Sequence, residues 1–264
     1  IVFFLADDLG YGDVGCFGQQ KILTPNVDRL AKNGMRLTQH YSGCPVCAPS
    51  RCVLMTGKHT GHARIRGNYG PDGHPVALRA EDATFLPLLK QAGYITGVIG
   101  KWGLGDEGEA AVGLPTRQGF DHFYGYANQH HAHNYYPDFL LRGEMQVKLR
   151  NQVPAGSVDN PIARRFGVGY ASEKIEYSHD LLAAEALKWV EANRARPFFL
   201  YLALTTPHAN NEANRDLKNG QEVPDFGPYA DRDWTAPNKG QAAMITRMDR
   251  DLGTKIWDVS KWVK

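Results

Sequence analysis

Long apolar runs are missing from this 264-residue chain: stretches such as Ile1 to Ala6 fall far short of the ~20 residues that cross a bilayer, which excludes a membrane-spanning helix. An excess of charge of either sign is missing too. Thirty Lys and Arg against 28 Asp and Glu leave a formal charge of +2, so there is no electrostatic footprint for nucleic acid or for a membrane surface. Cysteine is scarce and confined. Cys16, Cys44, Cys47 and Cys52 all lie in the first fifth of the chain, which excludes a disulfide framework for the whole fold and points to a local site or a local bridge. There is no internal repeat or low-complexity tract, and no Lys- or Arg-led signal segment opens the chain. Because the first residues already read as a strand, the natural start is expected to lie upstream, and the missing leader says nothing about export. What is present is ordinary for a globular protein: 42% apolar and 22% charged residues, enough for one large domain or two small ones with a sizeable core.

Strand-like and helix-like segments alternate. Ile1 to Ala6 is a continuous β-rich apolar run that stops at Asp7-Asp8, which predicts a buried strand of a parallel sheet. Thr24 with Pro25 at the first helical position and Gly34 at the end predicts a helix, followed by a strand over Met35 to Tyr41. A short helix is expected from about Pro49 to Gly57, another from Thr84 through Ala92 closed by Gly93, and a strand over Tyr94 to Gly100 leading into Lys101. Ser178 to Arg194 carries Leu181, Leu182, Ala186, Leu187 and Val190 at helical spacing; Phe198 to Leu204 reads as a buried strand ending at Thr205-Thr206-Pro207-His208; Gln241 to Val259 reads as a last helix. Segments 142–170 and 209–240 are rich in Asn, Gly, Pro and charge and are expected to be long surface loops that shape a site. The alternation predicts an α/β fold with a mainly parallel central sheet flanked by helices.

Asp7-Asp8, Lys101 and His208 stand at the ends of predicted strands, where ligands bind in open α/β sheets. Adjacent aspartates repel unless a positive group lies between them, and a hard divalent cation is one solution; a turn or helix cap over Asp7-Asp8-Leu9-Gly10 is the other. Cys44-x-x-Cys47 allows a redox pair or half a zinc site. However, no second C-x-x-C follows, and the histidines, with His122, His130, His131 and His133 crowded together, lack zinc-ligand spacing from it.

The segment Cys47-Ala48-Pro49-Ser50-Arg51, followed by Thr56-Gly57, fits C-x-P-S-R and resembles the signature of the type I sulfatases, members of the alkaline phosphatase-like superfamily. Four more segments resemble the same family in the same order: Ala6 to Asp13, Thr24 to Ala31, Gly100-Lys101-Trp102-Gly103-Leu104-Gly105, and Phe199 to His208. Bacterial arylsulfatases and N-acetylgalactosamine-6-sulfatase-like members are the most similar in pattern. The resemblance implies that Cys47 is oxidised by a formylglycine-generating maturation enzyme and that the hydrated aldehyde attacks the sulfur of a sulfate ester. It implies that Asp7, Asp8 and modified Cys47 bind a calcium ion rather than magnesium. Arg51 would hold the nucleophile, Lys101 the sulfate, and His208 would lie near the ester oxygen. Implied substrates are sulfated carbohydrates or aryl sulfates, with no nucleic acid and no membrane as partner, in a periplasmic or secreted setting. Tyr124, Tyr126, Tyr135 and Tyr136 are candidates for stacking on sugars or for core packing.

Two departures from the family pattern stand out. Gly103 occupies the place of a histidine, and His133, in Asn128 to Pro137, is expected to take over its proton-accepting role, with His130 and His131 left as a solvated loop. The family also continues to a strand with an Asp-Asn metal pair and a further lysine. Residues 1–264 are therefore expected to be an N-terminal catalytic domain, truncated before that strand and the smaller C-terminal domain. Asp249 and Asp251, being helical, are not replacements, so weak calcium binding is expected, with an inactive fragment as one outcome beside an active sulfuric ester hydrolase. The competing readings are a phosphonate or phosphate monoester hydrolase of the same superfamily and a non-catalytic sulfated-glycan-binding relative.

Overall fold

The computed structural model describes residues 1–70, 76–105, 108–157 and 166–253. Among them the apolar runs form β1 (Val2–Asp7), β2 (Ile95–Lys101), β3 (His122–Tyr126), β4 (Phe139–Arg142), β5 (Met145–Lys148) and β6 (Phe198–Pro207). They make one sheet in the order β1-β6-β2-β3-β4-β5, parallel from β1 to β3 and antiparallel through β4 and β5. This is the expected mainly parallel α/β sheet. β6 and β2 lie at its centre and are buried along nearly their whole length, so they read as unbroken apolar runs instead of alternating ones. β1 departs from expectation. Among the described strands it pairs with β6 alone, and within the described residues Ile1 and Phe3 are exposed where a strand buried on both sides was expected.

The helices are α1 (Pro25–Asn33), α2 (Cys47–Thr56), α3 (Leu86–Gln91), α4 (Ser178–Asn193), α5 (Asn211–Leu217) and α6 (Ala236–Asp251). Alternate residues of β6 serve the two faces of the sheet, as a period of two requires. Phe199, Tyr201 and Ala203 pack with Ala48, Cys52 and Met55 of α2 and Leu86 of α3. Leu200, Leu202 and Leu204 pack with Leu182, Ala186 and Val190 of α4 and with Ile245 and Met248 of α6. Each fully buried leucine here contributes about 1.5–3 kcal/mol.

Several local expectations change. Met35 to Tyr41 forms no strand, and Met35, Leu37 and Tyr41 are exposed; none of the described strands pairs with this segment. α2 begins two residues before Pro49, α3 has Phe85 and not Thr84 at its N-cap, and α6 begins at Ala236; the expected continuation to Val259 lies outside the described residues. The segments expected to be surface loops hold structure: β5 lies in 142–170, and α5 and the start of α6 lie in 209–240, where Glu222 and Tyr229 are buried. Tyr124, Tyr126, Tyr135 and Tyr136 are buried in the core, which resolves their two readings in favour of packing.

One glycine decides how β2 reaches the site. Gly100 has φ +112°, and a Cβ there would stand 2.0 Å from the carbonyl oxygen of Ala203. Only glycine lets β6 and β2 close at this point, directly before Lys101.

Candidate active site

The C-terminal ends of β1, β2 and β6 and the N-terminus of α2 converge, bringing together six of the seven candidate catalytic and metal-binding residues, and His133 joins them from a separate turn. Lys101 is fully buried, and its Nζ donates to Asp7 Oδ2 at 2.6 Å and to Cys47 Sγ at 3.4 Å. Arg51, also buried, donates through Nη1 to the Lys101 carbonyl at 2.5 Å and to the Tyr201 hydroxyl at 3.3 Å, while Nη2 lies 3.5 Å from Asp7 Oδ2. Asp8 turns the other way. It takes a left-handed φ of 61°, which costs a non-glycine residue roughly 1–2 kcal/mol, and sends an exposed carboxylate to 3.4 Å from His208 Nε2. His208 Nδ1–H donates to the Ala209 carbonyl at 2.6 Å, so Nε2 is the nitrogen left for the site.

Burial alone would raise the Asp7 pKa; Lys101, Arg51 and His208 overcome it and hold the carboxyl well below the usual range, hence ionised. Burial likewise opposes ionisation of Cys47, but a hydrogen bond from His208 and the charge of Lys101 bring its pKa below that of a free thiol. The same thiol, with Asp7 and Asp8, raises His208 against the effect of burial. A half-buried thiol with a lowered pKa at a helix start beside two cations is a site of cysteine reactivity, unlike buried Cys52, whose pKa burial raises. The four cysteines are free, so the early cluster is a local site without a local bridge.

The helix end supplies less than its position suggests. Ala48 N–H donates to Asn68 Oδ1 at 3.1 Å, Pro49 has no N–H, and Ser50 N–H donates to the Val46 carbonyl. Stabilisation of an anion here falls mainly to the side chains and the helix dipole and little to free backbone donors.

His133 reaches the site from a loop far along the chain. It is buried, its ring stacks on that of His208 at a centroid distance of 4.6 Å, and its Nδ1 lies 3.6 Å from Glu212 Oε2. The expectation of a solvated loop at His130 and His131 is corrected. His131 is buried between the rings of Tyr126 and Phe139, where burial pushes its pKa down to about 3; His130 is largely covered and stacks on Tyr69 at 5.0 Å. Gly103, with φ +77°, borders the same space: a Cβ there would meet Gln129 Cβ at 3.3 Å and Arg51 Cδ at 3.6 Å.

Donor atoms of Asp7, Cys47 and His208 lie within 4.8 Å of one another. The carboxylates of Asp7 and Asp8 are hard oxygen donors of the kind calcium prefers, whereas a thiolate is a poor calcium ligand until oxidation replaces its sulfur with oxygen. In kind, the residues fit calcium; in number, they leave most of its six to eight positions to water, substrate and other ligands. Asp249 and Asp251 do not contribute, because Asp249 accepts bonds from Asn26 and Val27 and Asp251 faces His179 at 3.2 Å.

Asn68, Gln129, Tyr201 and Glu212 also belong to the site and were not singled out in the sequence. Glu212 follows the Asn210 cap, a signal visible as Asn-Asn-Glu, but its approach to His133 depends on tertiary contacts.

The sulfatase family model matches residues 1–253. N-acetylgalactosamine-6-sulfatase of Canis lupus familiaris is 31% identical over 227 residues, covering 81% of this chain and 41% of the relative. Arylsulfatase A of Homo sapiens is 34% identical over 218 residues, covering 79% and 41%. The crystal structure of Ps i-CgsB, also solved in complex with k-i-k-neocarrahexaose, superposes with a TM-score of 0.74 at 27% identity, covering 98% of this chain and 54% of that one. BT4656 in complex with its substrate D-glucosamine-2-N,6-O-disulfate superposes with a TM-score of 0.57 at 26% identity, covering 79% and 34%. The chain thus spans about half, or less, of the length of these relatives.

Proposed function

The chain belongs to the sulfatase family, whose members are sulfuric ester hydrolases, and we propose that it takes part in hydrolysing sulfate esters of carbohydrates through Cys47 matured to formylglycine. One observation carries this reading: the Cys47 thiol stands at the start of α2, 3.4 Å from Lys101 Nζ, with Asp7, Arg51 and His208 around it. When formed, the formylglycine hydrate supplies a nucleophilic hydroxyl toward sulfur and a second hydroxyl that permits release of sulfate. Asp7 and Asp8 would hold calcium, in preference to magnesium, beside residue 47; the ion supplies positive charge that favours ionisation of a neighbouring hydroxyl.

The chain's own residues divide the remaining tasks. Arg51, fixed by the Lys101 carbonyl and Tyr201, offers Nη2 to the nucleophile and to anionic oxygen. Lys101, held at Asp7, counters charge on the sulfate oxygens. His208, with its raised pKa, carries a proton on Nε2 for the ester oxygen of the departing alcohol. His133, pushed down to about 4 by burial, stays neutral and accepts a proton, the role that Gly103 cannot perform.

Sulfated sugars are the substrate class we favour, on the strength of the carrageenan and glucosamine sulfate complexes of two structural relatives. Such substrates suit a periplasmic or secreted setting, and maturation requires a formylglycine-generating enzyme as partner. No helix among the described residues is long and apolar enough to cross a membrane. The test is a peptide mass spectrum across residues 37–51 of protein from its native host, followed by release of sulfate and of phosphate from matched aryl esters with and without calcium. An aldehyde or its hydrate at position 47 with preferential sulfate release supports the proposal. Preferential phosphate release would transfer it to a phosphate or phosphonate monoesterase, and an unmodified thiol without turnover to a glycan-binding relative.

A further inference from the structure

We infer that Glu212 is the positioning residue of His133, holding the proton of the neutral ring on Nδ1 and leaving Nε2 as its proton-accepting nitrogen. Glu212 Oε2 and His133 Nδ1 lie 3.6 Å apart, both side chains are largely buried, and neither atom has a hydrogen-bond partner within bonding distance among the described residues. A contact of 3.6 Å is long for a hydrogen bond, yet at that range in a poorly solvated environment the sign of the interaction is decisive. A ring lone pair facing the carboxylate repels it, whereas an N–H attracts it. The His130 ring meets His133 edge-on at 5.4 Å; Lys101 and His208 disfavour a second proton on the His133 ring, and burial does the same, so the ring holds one proton and Glu212 selects where it sits.

The position of Glu212 is itself built in. Asn210 Oδ1 accepts from the backbone N–H groups of Glu212 and Ala213, both at 3.1 Å, fixing the first turn of α5. Asn210 Nδ2 donates to the Gly169 carbonyl at 3.0 Å and to Glu222 Oε2 at 2.6 Å, and Glu222 pairs with Lys174 at 2.8 Å. A fully buried asparagine using both ends of its amide anchors the turn that carries Glu212. On the opposite face, His133 stacks on His208, whose own Nδ1–H is taken by the Ala209 carbonyl. The two stacked rings therefore carry the same Nδ1–H arrangement, with the Nε2 atoms left for chemistry.

The catalytic part of this inference rests on the proposed role of His133 in sulfate ester hydrolysis; the tautomer part does not. The test is long-range ¹H–¹⁵N correlation spectroscopy of the ¹⁵N-labelled full chain near neutral pH, with the His133 signals identified by their loss in His133→Gln. The Nδ1–H pattern is expected in the wild type, retained in Glu212→Gln, whose amide oxygen still accepts, and shifted toward Nε2–H in Glu212→Leu. An Nε2–H ring in the wild type, or a ring unchanged in Glu212→Leu, overturns the inference. In turnover, Glu212→Leu is expected to lower kcat by about 10- to 100-fold with KM nearly constant, and Glu212→Gln to recover most of it. A raised KM at unchanged kcat would make Glu212 a substrate contact and overturn the positioning role. A wild type without sulfatase turnover counts against the proposed function, while the tautomer measurement still decides on Glu212.

Discussion

Two regions of buried charge in this chain are built in opposite ways. Behind α1, Asp249 accepts from the backbone N–H groups of Asn26 and Val27 and from the Asn26 amide at 2.7–3.1 Å, so a carboxylate from α6 caps a helix more than 200 residues earlier. At the strand ends around Cys47 the pairing is incomplete. Gln129 Oε1 and His130 Nε2 are buried without hydrogen-bond partners among the described residues, and His133 and Glu212 meet only at a distance. Polar groups that are satisfied within the protein hold it together, whereas buried groups left short of partners around a nucleophile are available to a ligand.

The sharpest way to break this contrast is Cys47→Ala. Turnover is expected to fall at least about 10⁴-fold while the urea midpoint hardly moves, since the thiol packs little core; a large loss of stability would show that the site is also structural. Asp249→Ala should do the reverse. Stranding the α1 donors is expected to cost about 2–3 kcal/mol in urea unfolding, with turnover per folded molecule unchanged.

His131 tests where the border lies, since it belongs to the same histidine stretch as His133 yet is packed between aromatic rings. Above about pH 6.5 the ring is neutral both folded and unfolded. Below that, the unfolded chain takes up a proton that the folded ring, with a pKa of about 3, refuses. Stability should therefore fall as pH drops toward 3, by up to about 1.4 kcal/mol per pH unit from this residue. Unfolding midpoints measured at a series of pH values would check this, with His131→Phe expected to flatten the slope. The smallest effect is expected at the rim: Arg247→Asn, which removes the partly exposed pairing with Asp180, should cost less than about 1 kcal/mol and leave turnover alone.

Legibility followed the range of the interactions. The central strands, α4, and the placing of Asp7, Lys101 and His208 at strand ends were readable because apolar runs and breaks act locally. Met35 to Tyr41 misled because a strand-like segment does not create a partner strand, and β4 and β5 escaped notice because antiparallel pairing gives short segments little pattern of their own. His131 misled in another way: polar residue types suggested a solvated loop, but the rings around it come from β3 and β4.

By itself, the sequence determined the α/β alternation, the C-x-P-S-R start of α2, and the donors available for chemistry. These depend on side-chain identity and on spacings of a few residues. Only the tertiary structure decided that Lys101 pairs with Asp7, that Asp249 caps α1 and not a metal, and that Glu212 stands behind His133. Those partners lie between 79 and 223 positions apart, and burial, which sets both their charge and their choice of partner, exists only once the sheet and its helices have closed around them.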